Sequence, residues 1–379
     1  MNFIYLDYAA TTMVDRDIYN EIEDYFFKFF ANPSSVHGYG RIVREMIEKE
    51  REELARLLGV GRDEIIFCSS GTEANNLAIF GCAYANSNNG KSIISTTVEH
   101  SSVLAPLAKL ELEGFSVRYL HVDFNGVLQL DDLKNSLTED TILVSILIVN
   151  NETGVIQPYK EISRIIRDFN EKIIIHYDMV AGFPKIITSL NQLDADIITI
   201  SGHKLYAPKG TAFLYVKEGI KLQPQIVGGQ QEFGKRAGTE NVPGIIFLCK
   251  AIKKCLKERI SEWENVSVLK SYFETKLLEK YADNILICGR NTTRIPHISN
   301  ICFKNKQSRN IIETLSNNKI YVSTGSACKS GENAPSYVIS AMGIPEVFSQ
   351  GSIRFSFGKY TTIEQINTTL DVLYHTINY

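Results

Sequence analysis

Four short segments carry side chains that could do chemistry rather than only pack. In Ile198-Thr-Ile-Ser-Gly-His-Lys204 an apolar run ends and leaves Ser201, His203 and Lys204 just beyond it. In open α/β sheets ligands bind past the carboxyl ends of the strands. A lysine placed there can form a Schiff base with a carbonyl compound if burial lowers its pKa; the plain alternative is a solvated surface lysine. In Ile173-Ile-Ile-His-Tyr-Asp178 a carboxylate closes a second apolar run. Burying it without a partner is expensive, so either a cation faces it or it caps the next turn. A protonated pyridine nitrogen would be a fitting cation. In Cys68-Ser-Ser-Gly-Thr-Glu73 small residues join a strand to a helix. Such a turn exposes N–H groups that bind phosphate, or it is an ordinary cap with Ser70 or Thr72 as Ncap.

The fourth segment is Ser323-Thr-Gly-Ser-Ala-Cys-Lys-Ser-Gly-Glu-Asn333. A cysteine among small polar residues, with Lys329 beside it, favours the reactive thiolate. The other six cysteines are set differently, most of them in apolar runs such as Ile245-Ile-Phe-Leu-Cys249 and Asn300-Ile-Cys302, and read as buried small hydrophobes. Their odd total of seven and the lack of a CxxC pair argue against a disulfide framework and a structural zinc site. His100, His37 and His176 are single histidines, a type more often packed and hydrogen-bonded than catalytic. Arg354, in Ile353-Arg-Phe-Ser356, could hold a substrate carboxylate in a bidentate pair or form an internal salt bridge.

The elements that must position these groups alternate along the chain. Strand-like runs are expected at 65–68, 92–96, 116–121, 142–149, 172–177, 196–200 and 212–216, with helical stretches between them at 42–58, 73–84 and 162–169. The run at 144–149 lacks period-two alternation, which fits a strand buried on both faces. The alternation predicts an α/β fold with a mainly parallel sheet sandwiched by helices. From about Ile245 the texture changes to a long charged helical stretch and then shorter strands at 299–303 and 353–357, which predicts a smaller α+β domain. The expected division is 15–250 for the large domain, and 1–14 with 251–379 for the small domain carrying the Cys328 segment.

Composition narrows the function classes. A net charge of −3 gives no basic footprint for nucleic acid. The longest strongly apolar run, 141–149, is too short to span a bilayer as a helix, and Met1-Asn-Phe-Ile-Tyr-Leu-Asp7 does not read as a signal peptide. A soluble, cytoplasmic protein without a membrane partner or metal is expected.

Taken together and in this order, the segments resemble the cysteine desulfurases of the NifS/IscS type, within the class V aminotransferases of pyridoxal-phosphate (PLP) fold type I. The resemblance rests on Tyr5-Leu-Asp-Tyr-Ala-Ala-Thr-Thr12, Asn32-Pro-Ser-Ser-Val-His37, Thr72-Glu-Ala-Asn-Asn76, Glu99-His100, Val149-Asn-Asn-Glu-Thr-Gly154, Asp178, Ser201-Gly-His-Lys204, Gly228-Gly-Gln-Gln-Glu232, Arg236-Ala-Gly-Thr239, Gly325-Ser-Ala-Cys328 and Ile353-Arg-Phe-Ser356. It implies that Lys204 carries the PLP Schiff base, that Asp178 pairs with the pyridine nitrogen and that His100 stacks on the ring. It implies that Gly71, Thr72, Ser201 and His203 hold the phosphate, with Thr239 reaching in from a second subunit of a homodimer. Asn151 and Arg354 would hold the carboxylate of L-cysteine. Cys328 would take the sulfur as a persulfide for an acceptor protein such as an iron–sulfur scaffold or a tRNA-thiolation enzyme.

The sequence departs from the family pattern in places. Where relatives carry a Gln that hydrogen-bonds the ring oxygen, a gapless alignment places Ala181; a nearby glycine becomes Pro184, and Met13 replaces a usual proline. Competing readings are an aminotransferase on the same fold, which has no need of Cys328, a lyase restricted to selenocysteine, and a non-catalytic paralogue, motivated by Ala181.

Overall fold

The computed structural model describes residues 3–325 and 335–377. Twelve strands occur among them: β1 (Ile4–Tyr5), β2 (Ile65–Cys68), β3 (Ser92–Thr96), β4 (Ser116–Leu120), β5 (Thr141–Leu147), β6 (Ile174–Asp178), β7 (Ile197–Ser201), β8 (Ala212–Val216), β9 (Ile285–Ile287), β10 (Ile298–Phe303), β11 (Ile320–Tyr321) and β12 (Ser352–Ser356). Seven of them form one sheet in the order β2-β8-β7-β6-β5-β3-β4. All contacts from β7 through β4 are parallel, and β8 runs antiparallel to both β7 and β2. In β5, β6 and β7 every residue is buried, as expected of strands covered on both faces. One apolar cluster includes Leu77, Val103 and Leu107, from the helices Gly71–Asn86 and Ser101–Leu112; another includes Leu54, Ile162 and Ile166, from Gly38–Leu58 and Tyr159–Phe169.

The smaller unit is built on an antiparallel sheet ordered β12-β10-β9. Phe273, Phe303, Phe355 and Phe357 fill its core. The N-terminus belongs to it as well: β1 pairs in parallel with β11, Leu6 is fully buried in the same core, and Asp7 bridges to Ser356. A helix of 40 residues, Val242–Tyr281, joins the two units. Its first part, through Cys255, packs in the large core, and its later part, from Val266, packs in the small one. The boundary expected at residue 250 thus falls inside a continuous helix. Among the described residues no helix is long and apolar enough to cross a membrane.

Candidate active site

The parallel strands deliver their carboxyl ends to one edge of the large sheet. Asp178, the last residue of β6, lies opposite Thr199 of β7. Two residues later β7 ends at Ser201, and the 3-10 turn Gly202–Lys204 presents the lysine. The N-terminal segment braces this turn. Thr12 N donates to the His203 carbonyl at 2.8 Å, the Thr12 hydroxyl donates to the same oxygen at 3.1 Å and accepts from Tyr206 N at 2.8 Å.

Asp178 is buried. Its Oδ1 accepts from Val180 N at 2.9 Å and its Oδ2 from Asn75 Nδ2 at 2.8 Å. Asn75, itself buried, also donates to Ser102 Oγ at 2.8 Å, and that hydroxyl lies 2.7 Å from His100 Nδ1. His100 is the N-cap of the helix Ser101–Leu112 and accepts from Ser102 N at 3.1 Å. A continuous hydrogen-bonded chain therefore fixes Asp178 and the His100 ring together. Asn75 stood in a quoted motif but was assigned no role. Its signal in sequence was an amide on the otherwise apolar face Ala74, Leu77, Ala78 of its helix, a placement that demands partners.

Electrostatics set these groups apart from ordinary surface residues. Burial, and then the Arg354 guanidinium, lower the Lys204 pKa to about 8, against the pull of Asp178. Burial likewise lowers His203 to about 4, with Lys204 adding to the effect. His100 is lowered too, by burial and by Lys204, while Asp178 opposes the shift. Next to His100, Glu99 is fully buried and its pKa is raised to about 8 by burial. Its Oε1 accepts from Thr96 Oγ1 at 2.6 Å and Leu147 N at 3.0 Å.

These residues fit pyridoxal phosphate. Ser201 Oγ is buried and has no hydrogen-bond partner among the described residues. Gly71 opens the helix that Ser70 caps, by accepting from Glu73 N at 3.1 Å. A Cβ on Gly71 would stand 3.3 Å from Val180 Cγ2 and 3.4 Å from Ser201 Cβ, so glycine keeps the cleft between helix start and strand end open. A helix N-terminus, a hydroxyl lacking a partner, an amine of lowered pKa and a fixed carboxylate suit the phosphate, carbonyl and ring nitrogen of that cofactor.

Opposite this edge stands Arg354, buried in β12 of the smaller unit. Its Nη1 donates to the Asn151 carbonyl at 2.9 Å and its Nη2 to Asp7 Oδ1 at 2.8 Å. Asn151 follows β5 in a turn organised by Asn150, whose Oδ1 accepts from Glu152 N and Thr153 N, both at 3.0 Å. Asn151 and Arg354 are thus in direct contact through the Asn151 carbonyl, and Asp7 is an ion partner that sequence reasoning did not assign. Ala181 is buried and lines a cavity with Lys204, Lys185 and Pro184.

Thr72 is exposed on the first turn of its helix. Thr239 is exposed as well, beside a depression lined by Cys68, Ser69 and Thr211 rather than by Lys204. Cys328 lies outside the described residues; the other six cysteines are free and buried. Among the described residues no cluster of His, Cys, Asp and Glu could hold a metal ion.

The chain is 44% identical over 370 residues to a protein of Dictyoglomus turgidum named cysteine desulfurase IscS, spanning 98% of this chain and 93% of that one. A solved structure titled NifS-like protein superposes with a TM-score of 0.92 at 34% identity, covering 98% of both chains. Another, titled SspA in complex with cysteine, superposes with a TM-score of 0.83 at 30% identity, covering 95% of this chain and all of that one. The model of the aminotransferase class-V family matches residues 4–368, and with nearly the whole chain accounted for in this way the protein belongs to that family.

Proposed function

We propose that the chain is a PLP-dependent cysteine desulfurase that converts L-cysteine to L-alanine and holds the sulfur as a persulfide on Cys328. The observation that carries this reading is that Lys204 and Asp178, at the carboxyl ends of β7 and β6, face Arg354 of the smaller unit, in a chain that also bears the segment Gly325-Ser-Ala-Cys328. Relatives named cysteine desulfurase and a neighbour solved with cysteine support it.

Ser201, His203, Gly71 and Thr72 would hold the phosphate of the cofactor, Asp178 its ring nitrogen, and Lys204 its carbonyl carbon, with His100 against the ring. Bound there, PLP supplies an electron sink for charge developing at the substrate Cα. Arg354 and Asn151 orient the substrate carboxylate. Lys204, with its lowered pKa, is neutral in a large fraction near pH 8 and can take the Cα proton, then return protons to the product. The Cys328 thiolate forms a bond to the substrate sulfur as the carbon–sulfur bond breaks. The bonding pair passes to the carbon skeleton, which takes up protons and leaves as L-alanine, while Cys328 keeps the sulfur.

We infer further that the enzyme is a cytoplasmic homodimer in which Thr239 of each subunit completes the phosphate site of the other. The exposed position of Thr239, away from Lys204 of its own chain, is compatible with that arrangement. The persulfide would pass to a sulfur-acceptor protein in iron–sulfur cluster assembly or tRNA thiolation. An assay for alanine and sulfide from cysteine tests the core of this reading. Cys328→Ser is expected to bind PLP and cysteine yet make almost no alanine; full activity in that variant would refute the role of Cys328.

A further inference from the structure

The hydrogen bonds that run from Asp178 to His100 have a direction, and that direction fixes where the His100 proton sits. A carboxylate can only accept. Asp178 Oδ2 therefore takes one Asn75 Nδ2 proton, at 2.8 Å. The second proton of the same amide goes to Ser102 Oγ, also at 2.8 Å. Turning the amide over would set its Oδ1 against the carboxylate, acceptor to acceptor; as it stands, Oδ1 has no partner among the described residues. Asn75, Ser102 and Asp178 are all buried, where a hydrogen bond left unmade is costly.

Ser102 Oγ already accepts from Asn75, so its own proton can go to His100 Nδ1, 2.7 Å away. The backbone reinforces this. His100 caps the helix Ser101–Leu112, and Ser102 N donates to the same Nδ1 at 3.1 Å. A hydroxyl can rotate, but a backbone N–H can only donate. Nδ1 must offer its lone pair, and the proton of the neutral imidazole then lies on Nε2. A further proton on Nδ1 would break the cap, setting N–H against N–H at the positive end of a helix. Nε2 makes no hydrogen bond among the described residues, so its N–H is the donor the ring has left to offer.

We propose that Asn75 and Ser102 are positioning residues that lock His100 as the neutral Nε2–H tautomer, a hydrogen-bond donor in the site and not a proton acceptor. Taking up the substrate proton is then left to Lys204. The groups around the ring divide over its charge. Asp178 favours the imidazolium, whereas burial and Lys204 oppose it. His203 is a second imidazole held neutral nearby, and the Glu99 carboxyl is turned away to Thr96 and Leu147 N. The donor role rests on the reading of this site as a desulfurase site; the tautomer rests on the hydrogen bonds alone.

The test reads the His100 ring nitrogens by NMR in full-length protein with isotope-labelled histidine, first without cofactor and then with PLP. His100→Gln identifies the signals. At about pH 7, Nε2 is expected to carry the proton and Nδ1 to be bare in both states. A proton on Nδ1 in either state would overturn the proposal. Ser102→Ala removes the hydroxyl donor and keeps the backbone one. Loss of that bond to the neutral form should move the His100 titration up by about one pH unit. Ser102→Thr, which keeps the hydroxyl, should titrate as the parent does. A midpoint that stays put in Ser102→Ala, or moves as far in Ser102→Thr, would overturn the lock. If neither variant folds, the parent spectrum decides alone. For the donor role, the acid limb of alanine formation should stay in place in Ser102→Ala; a limb that follows the His100 midpoint upward would reveal a base and overturn that role. A parent that makes no alanine would overturn the proposed function and the donor role with it, while the tautomer stands or falls on the spectra.

Discussion

The two faces of the site prepare their charged groups in opposite ways. At the edge of the large sheet, Asp178 is held by neutral donors, Asn75 and Val180 N, while Ser201 Oγ has no partner among the described residues. On the smaller unit, Arg354 is already engaged by Asp7 and by the Asn151 carbonyl. On the proposed reading, the cofactor side is preset to receive its ligand. On that reading an incoming carboxylate would meet an arginine whose Nη atoms are already taken, although Arg354 Nε and Asn151 Oδ1 have no partner among the described residues; a buried charge is tolerated only while it is paired. The two faces also communicate, because the Arg354 charge helps to lower the Lys204 pKa.

The hardest way to break this arrangement is at Lys204. Lys204→Ala should abolish turnover and leave no borohydride-reducible link between cofactor and protein. Mass mapping of the reduced peptide checks this, and a reduced link at another lysine would sink the assignment. Since Asp178, Asn75 and His100 hold one another without the lysine, the variant should still fold.

A smaller effect is expected from Arg354→Gln, which tests whether the two faces are coupled. Lys204 is lowered from 10.5 to about 8, first by burial and next by Arg354. Removing that guanidinium should move the pKa back up. The rate at which the apoprotein captures PLP depends on the neutral amine, so its pH midpoint should lie near 8 in the parent and higher in the variant. The sign for stability follows from the same shift. Between about 8 and 10.5 the unfolded chain binds the extra proton at this lysine, so its contribution to stability improves as pH rises through that window. In Arg354→Gln the window should be narrower. Identical midpoints in parent and variant would show that the faces are electrostatically independent.

How much of this was legible in the sequence depends on the kind of contact. Strand ends were readable, because apolar runs finishing in Asp178 and Ser201 place polar groups at a sheet edge whatever lies around them. The fully buried character of β5 was readable from its missing alternation. Strand direction was not: β8 runs against β7, and side-chain periodicity is the same either way. The ion pair of Asp7 with Arg354 joins residues 347 apart in sequence, and no local pattern encodes such a partner. The join between the units was hidden because Val242–Tyr281 keeps helical spacing while the core it faces changes. The Ser201, Lys204 and Asp178 constellation needed only local spacing, whereas the role proposed for Thr239 depends on a second subunit.

The finest probe of this face is Ala181, where the family resemblance implies a glutamine that donates to the cofactor ring oxygen. Ala181 lines the cavity that reaches Lys204 and contains Lys185 and His297. The alanine methyl can donate nothing, so on the proposed reading the ring oxygen would rely on water, Lys185 or another group lining that cavity. Losing one neutral hydrogen bond is worth on the order of 1 kcal/mol, and one pKa unit corresponds to about 1.4 kcal/mol. Ala181→Gln should therefore displace the pH titration of the cofactor's visible absorbance by up to about one unit, with PLP affinity nearly unchanged, because the phosphate and Asp178 contacts are untouched. The direction reports which donor the glutamine displaces. Replacing a cationic donor such as Lys185 would withdraw charge from beside the ring, whereas replacing a water would add a better-oriented neutral donor. Superimposable titrations in parent and variant would mean that a donor of equal strength already serves the oxygen, and that the short side chain at 181 leaves the electronics of the site unaltered.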